Sequence, residues 1–190
     1  MPLAWLAYAI AREVSAPGTV LGADPGEAVV EFLGEWGIRI LLLTLCVSPL
    51  RRLTGNAQVA GVRRMVGLFA FAYLALHFSA YLGFLALFDW ALIVEDLSER
   101  SYIMVGLLAL IILALLSLTS TRGWQRRLRR NWQHLHWGIY PAMLLGLLHL
   151  WWLTKDGFGD VVLYGTLTLV LLGERLALSW YTYSGGERKQ

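Results

Sequence analysis

A chain of 190 residues with a net charge of +3 is 57% apolar and only 15% charged. Soluble domains are about 45–50% apolar and about 25% charged, and disordered chains are more polar still, so both classes are excluded. The single cysteine, Cys46, excludes a disulfide scaffold, a zinc ribbon, a cysteine-ligated iron–sulfur cluster and a C-x-x-C-H haem attachment.

Residues 2–11 are apolar but too short to span a bilayer alone. They lack the basic start and small-residue cleavage site of a signal peptide. They predict a short N-terminal helix within 1–14, partial or interfacial. Five longer stretches predict spanning helices at about 32–50, 65–88, 102–121, 132–154 and 160–181. The second, third and fourth contain no Asp, Glu, Lys or Arg and reach the ~20 residues a span requires. The first carries Arg39 near one end, where it can snorkel, and the last is interrupted by Glu174 and Arg175. No strand alternation or long hydrophilic segment occurs. The fold class is therefore an all-α membrane protein: one integral membrane domain, with five full transmembrane helices and a short N-terminal partial helix.

Charge sets the orientation. Arg51, Arg52, Arg63 and Arg64 follow the first span, Arg122, Arg126, Arg127, Arg129 and Arg130 follow the third, and Arg188 and Lys189 end the chain. The other connections are acidic, with Asp24, Glu27, Glu31 and Glu35, then Asp89, Glu95, Asp96 and Glu99, then Asp156 and Asp160. The positive-inside rule places the basic loops and the C-terminus in the cytoplasm. The arginines sit where topology needs them, which removes the case for nucleic acid.

Ionisable side chains inside hydrocarbon are functional candidates by default. His77 and His149 both lie mid-span, 13 residues beyond Arg64 and His136 respectively. Thirteen residues of helix rise about 20 Å, so the two histidines share a depth towards the outer side, with His136 and Arg64 at the inner level. Two neutral imidazoles at one depth suit the axial positions of a b-type haem. Zinc would need further ligands, and no acidic or cysteine side chain lies at that depth. Helix packing and a proton relay remain as alternative roles. His134 and His136, two residues apart, cannot both point inward. A second haem at the inner level would have only His136, while Arg63 and Arg64 there can pair with haem propionates or a flavin phosphate. On an ideal helix His136 and His149 would not share a face, and Pro141 between them predicts a kink. Gly67, Gly83, Gly138 and Gly146 would let a flat macrocycle approach the backbone, or simply let helices pack closely. Cys46 reads as a packing residue.

Several stretches carry a resemblance. LGADP at 21–25, SPLRRLTG at 48–55, RRMVGLFAFAYLALHFSAYL at 63–82, and LTSTRGWQRRL with WQHLHWGIY within 118–140 resemble the MsrQ (YedZ) family. These are haem-binding membrane subunits of a periplasmic methionine sulfoxide reductase system, within the ferric-reductase-like transmembrane group. The resemblance implies haem b (one or two) and FMN. It implies electrons drawn from the quinone pool and passed to the periplasmic molybdopterin subunit MsrP. His77, His136 and His149 fall on the family's histidines, and His134 does not. The family's first helix is longer than the apolar stretch here, and it often has Pro in the segment matching 100–103, where this chain has Ser101.

The expectation is a haem-dependent oxidoreductase subunit of the bacterial inner membrane. Its metal ligands would be His77, His149 and His136, its further cofactor contacts Arg63 and Arg64, and its sulfoxide chemistry would take place on the partner. No G-x-G-x-x-G or soluble nucleotide domain is present, so the donor must be a separate protein or a quinol. Two alternatives stand beside this expectation: a ferric or oxygen reductase of the same architecture, and a non-redox scaffold or transporter.

Overall fold

The computed structural model describes residues 2–55, 59–154 and 159–187, with the side chains of residue 60 and residues 178–187 left aside. Asp156, Arg188 and Lys189, used above for orientation, lie outside these described residues. Every described element is helical.

Helix α1 (Pro2–Ser15) is 14 residues long, about 21 Å at 1.5 Å per residue, and packs on α2. Its Glu13 is 7% exposed and accepts hydrogen bonds from the backbone N–H groups of Gly18, Val20 and Leu21, which folds the following loop back on the helix. Helix α2 (Pro25–Thr54) starts where Asp24 accepts from the N–H of Glu27 at 3.0 Å and Pro25 takes the first turn. It stops at Gly55, whose φ of 65° is left-handed and whose N–H reaches the Arg51 carbonyl at 3.0 Å. Its Ile38, Leu41, Leu42 and Leu45 form one buried helical face.

Helix α3 (Val59–Ala80) passes into a π-helical turn over Tyr81–Leu85. Leu87 and Phe88, at φ 47° and 56°, then reverse the chain. Helix α4 (Trp90–Glu99) occupies a segment that sequence reading leaves as an acidic connection. It is amphipathic: Ile93 and Asp96 face inward, while Trp90 and Val94 stay exposed. Asp96 accepts from the Tyr81 hydroxyl at 2.7 Å and pairs with Arg100 Nε at 3.1 Å, which ties α4 across the C-terminal end of α3.

Helix α5 (Ser101–Leu118) leads through two short basic helices, α6 (Arg122–Leu128) and α7 (Arg130–His136), to α8 (Ile139–Leu153) and α9 (Gly159–Glu187). The expected continuous span 132–154 is thus two helices. The break at Trp137 and Gly138 has a local cause: Pro141 lacks an N–H and its ring excludes the carbonyl four residues earlier, so α8 restarts with Pro141 in its first turn.

Helices α2 and α3 form one closely packed pair, and α5 and α8 form a second. Helix α3 meets α5 between the pairs, and α9 closes against α2 and α8. The core between them holds Leu41, Leu45, Ala70, Leu113, Ala142 and Met143, all nearly inaccessible. Large apolar side chains such as Leu169 and Val170 point outward from α9, as on a lipid-facing surface. Among the described residues, Gly61–Leu85 and Ser101–Leu118 are long and apolar enough to cross a membrane.

Candidate functional site

His77 of α3 and His149 of α8 lie beside each other. Their ring centroids are 6.2 Å apart and the ring planes cross at 84°. Each ring is held in the same way. His77 Nδ1 lies 2.8 Å from the Val30 carbonyl of α2, and His149 Nδ1 lies 2.7 Å from the Tyr102 carbonyl of α5. A carbonyl can only accept, so Nδ1–H donates in both rings. That fixes the tautomer and leaves both Nε2 lone pairs as available metal ligands.

A glycine backs each ring. A Cβ at Gly34 would lie 3.0 Å from His77 Nδ1, and a Cβ at Gly106 would lie 2.7 Å from His149 Nδ1. Both glycines are four residues beyond the carbonyl that accepts the histidine's proton. A shift of 72 residues carries Val30, Gly34 and His77 onto Tyr102, Gly106 and His149, so the two helix pairs repeat one device. The glycines singled out from sequence are different ones. Gly146 has nothing within 4 Å of an added Cβ, and Gly67 would meet only a Thr44 methyl at 3.5 Å. Gly34 and Gly106 were legible only through the recurring 43-residue separation between glycine and histidine.

The residues fit a haem iron on two counts. An atom bound by two imidazole nitrogens at about 2 Å each sets ring centroids about 6 Å apart, close to the separation found here. The Nδ1–H···O=C bonds are the outer-shell support that metal-ligating histidines normally have.

The surroundings of His136 are built differently. His136 stacks on Trp132, with centroids 3.9 Å apart, and its Nδ1 lies 3.1 Å from the Trp132 carbonyl. Its Nε2 turns to the chain just beyond α5, 3.4 Å from Ser120 Oγ, whose proton is already given to the Leu116 carbonyl at 2.7 Å. His136 therefore does not join the His77–His149 pair. Arg63 is its electrostatic neighbour, whereas Arg64 is exposed. His134 is exposed and meets Trp137 edge-on at 5.1 Å. Beside the His77–His149 pair, Tyr102 packs 6.1 Å from His149, and Asp96 and Arg100 pair close by in sequence.

Comparison with known proteins places this arrangement. The family model described as "Ferric reductase like transmembrane component" matches residues 33–147. The protein-methionine-sulfoxide reductase heme-binding subunit MsrQ of Xanthomonas axonopodis pv. citri is 44% identical over 92% of this chain and 80% of its own length. The subunit of the same name from Bordetella pertussis is 41% identical over 88% of this chain and 82% of its own length. The chain belongs to the MsrQ family. It is a membrane protein of the ferric-reductase-like transmembrane group. The family-model match takes in Gly34, His77, Gly106 and His136 and ends two residues before His149. No solved structure matches the chain.

Proposed function

We propose that this chain is the transmembrane electron-transfer subunit of a methionine sulfoxide reductase system, with His77 and His149 as the two residues that would hold a haem b. The observation that carries the reading is the matched pair of histidines, each with Nδ1 committed to a neighbouring helix's carbonyl and Nε2 left as a ligand. When bound, haem b supplies a reversible one-electron iron couple. The residues do the rest. Gly34 and Gly106 leave the space the rings need, and the Val30 and Tyr102 carbonyls hold each ring in its tautomer. The names of the relatives support haem binding and the link to a sulfoxide reductase.

The finer reading follows the same family. Five helices span the bacterial inner membrane, with the C-terminus cytoplasmic and the His77–His149 pair towards the periplasm. Electrons enter from quinol or a flavin-linked donor at the inner level, where His136, Arg63 and Arg64 contact FMN or a second haem. They leave to the periplasmic molybdopterin partner MsrP, on which the sulfoxide is reduced. No residue of this chain acts on the sulfoxide itself. The test is haem content and quinol-driven reduction in purified His77→Ala, His149→Ala and His136→Ala. Loss of haem in the first two supports the ligand pair. Full retention in both would overturn it.

A further inference from the structure

We propose that Asp96 of α4 is a positioning residue for the histidine pair, a single buried carboxylate that braces the helix carrying His77 against the helix whose carbonyl holds His149. That role rests on His77 and His149 being haem ligands. Asp96 is 5% exposed, and both of its oxygens are committed. Oδ2 accepts from the Tyr81 hydroxyl at 2.7 Å, and Oδ1 pairs with Arg100 Nε at 3.1 Å. Each partner stands next to one half of the site. Tyr81 lies four residues beyond His77, one turn further along the same helical run. Arg100 immediately precedes α5, two residues before Tyr102, whose carbonyl accepts from His149 Nδ1. The Tyr102 ring also packs against His149, and its side chain is an electrostatic neighbour of the Arg100 guanidinium.

The two acceptor carbonyls differ in what secures them. Val30 is the sixth residue of a 30-residue helix whose start is capped by Asp24. Tyr102 is the second residue of α5, which starts without a side-chain cap. First turns leave N–H groups unsatisfied and fray, so this carbonyl needs support from outside its own helix. Asp96 supplies that support through Arg100 and is itself anchored on Tyr81. A buried carboxylate is tolerated where it is both paired and hydrogen-bonded, and Asp96 meets both conditions. Helices α3 and α5 belong to different helix pairs, so the brace holds one half of the site against the other. It thereby sets how the two imidazole planes stand to each other, at 84°.

The test uses the full chain in phosphatidylcholine nanodiscs, with two readouts. The EPR signal of a low-spin ferric haem reports the angle between its axial imidazole planes, and its largest g value is highest when they are perpendicular. At 84° any sizeable rotation lowers that value. Hydrogen exchange over residues 103–106 reports the start of α5 whether or not haem is bound. Asp96→Asn and Arg100→Gln are each expected to lower and broaden the largest g value and to speed exchange over 103–106. Haem binding should weaken about tenfold, the lower end of what loss of an outer-shell partner costs. The double variant should do no more than one change alone, because the two residues act as a unit. Glu99→Gln, an exposed carboxylate of the same helix, should change nothing. If Asp96→Asn fails to fold, Tyr81→Phe removes the other arm of the brace, and Arg100 is half-exposed and can be replaced without opening the core. Faster exchange with an unchanged EPR signal would make Asp96 structural only and overturn the proposal, as would no change in either readout. A wild-type protein that binds no haem overturns the ligand pair and this role with it. A haem protein whose signal ignores these variants overturns the positioning role alone.

Discussion

Replacing Gly106 by Ala adds one methyl group where the structure leaves no room for it. The new Cβ would sit 2.7 Å from His149 Nδ1, 2.9 Å from Cε1 and 3.2 Å from Cγ, whereas ordinary contact begins at 3.4 Å. The ring must retreat by about 0.7 Å to clear the closest of these contacts. The Nδ1–H···O=C bond to Tyr102 is 2.7 Å long and points from the same ring edge, so that retreat stretches or breaks it. Overpacking of this kind costs about 1–3 kcal/mol, and loss of an outer-shell partner lowers metal affinity about 10–100-fold. The assay is haem bound per chain during titration of purified Gly106→Ala, with Gly165→Ala of α9 as control, because an added Cβ there meets nothing within 4 Å. We expect weakened haem binding in the first variant and undiminished haem binding in the second. Equal haem affinity in the two would refute the role given to the glycine.

His77→Ala and His149→Ala should each remove the bis-histidine spectrum, and a low-spin spectrum in either would contradict the pairing. Tyr164→Phe leaves Arg39 Nε without the hydroxyl it now reaches at 2.8 Å, and should cost about 1–2 kcal/mol, read as a lower thermal unfolding midpoint. An unchanged midpoint would count against that bond. The backbone N–H groups of Leu21 and Gly18, then Val20, hold the Glu13 carboxyl below its ordinary value of 4.5. A depressed folded value means that the contribution is present above 4.5 and is lost as pH falls through the folded value. Proteolysis of the 16–22 loop should therefore rise on acidification, and Glu13→Gln should abolish that rise. The same acid response in Glu13→Gln would contradict it.

That His77 and His149 lie at one level was readable because equal 13-residue offsets, from Arg64 and from His136, give equal rises along two helices. What surrounded them was not. The carbonyls of Val30 and Tyr102 and the space at Gly34 and Gly106 belong to neighbouring helices, and only packing reveals them. Helix α4 escaped because Asp96 sits on its buried face: an acidic residue reads as solvent-exposed until Tyr81 and Arg100 supply its partners. The break before α8 was legible as Pro141, but not its consequence, which turns His136 to the end of α5 rather than towards Arg64. Arg175 read as an interruption of an apolar run. Only packing sets its guanidinium carbon 5.1 Å from the centre of the Tyr140 ring of α8.

The most direct test of the central claim is a reduced-minus-oxidised visible spectrum of the detergent-purified protein, with haem quantified per chain. Bis-histidine ligation by His77 and His149 predicts a low-spin b-type spectrum with at least one haem per chain. A colourless protein, after expression with ample haem, would contradict the account.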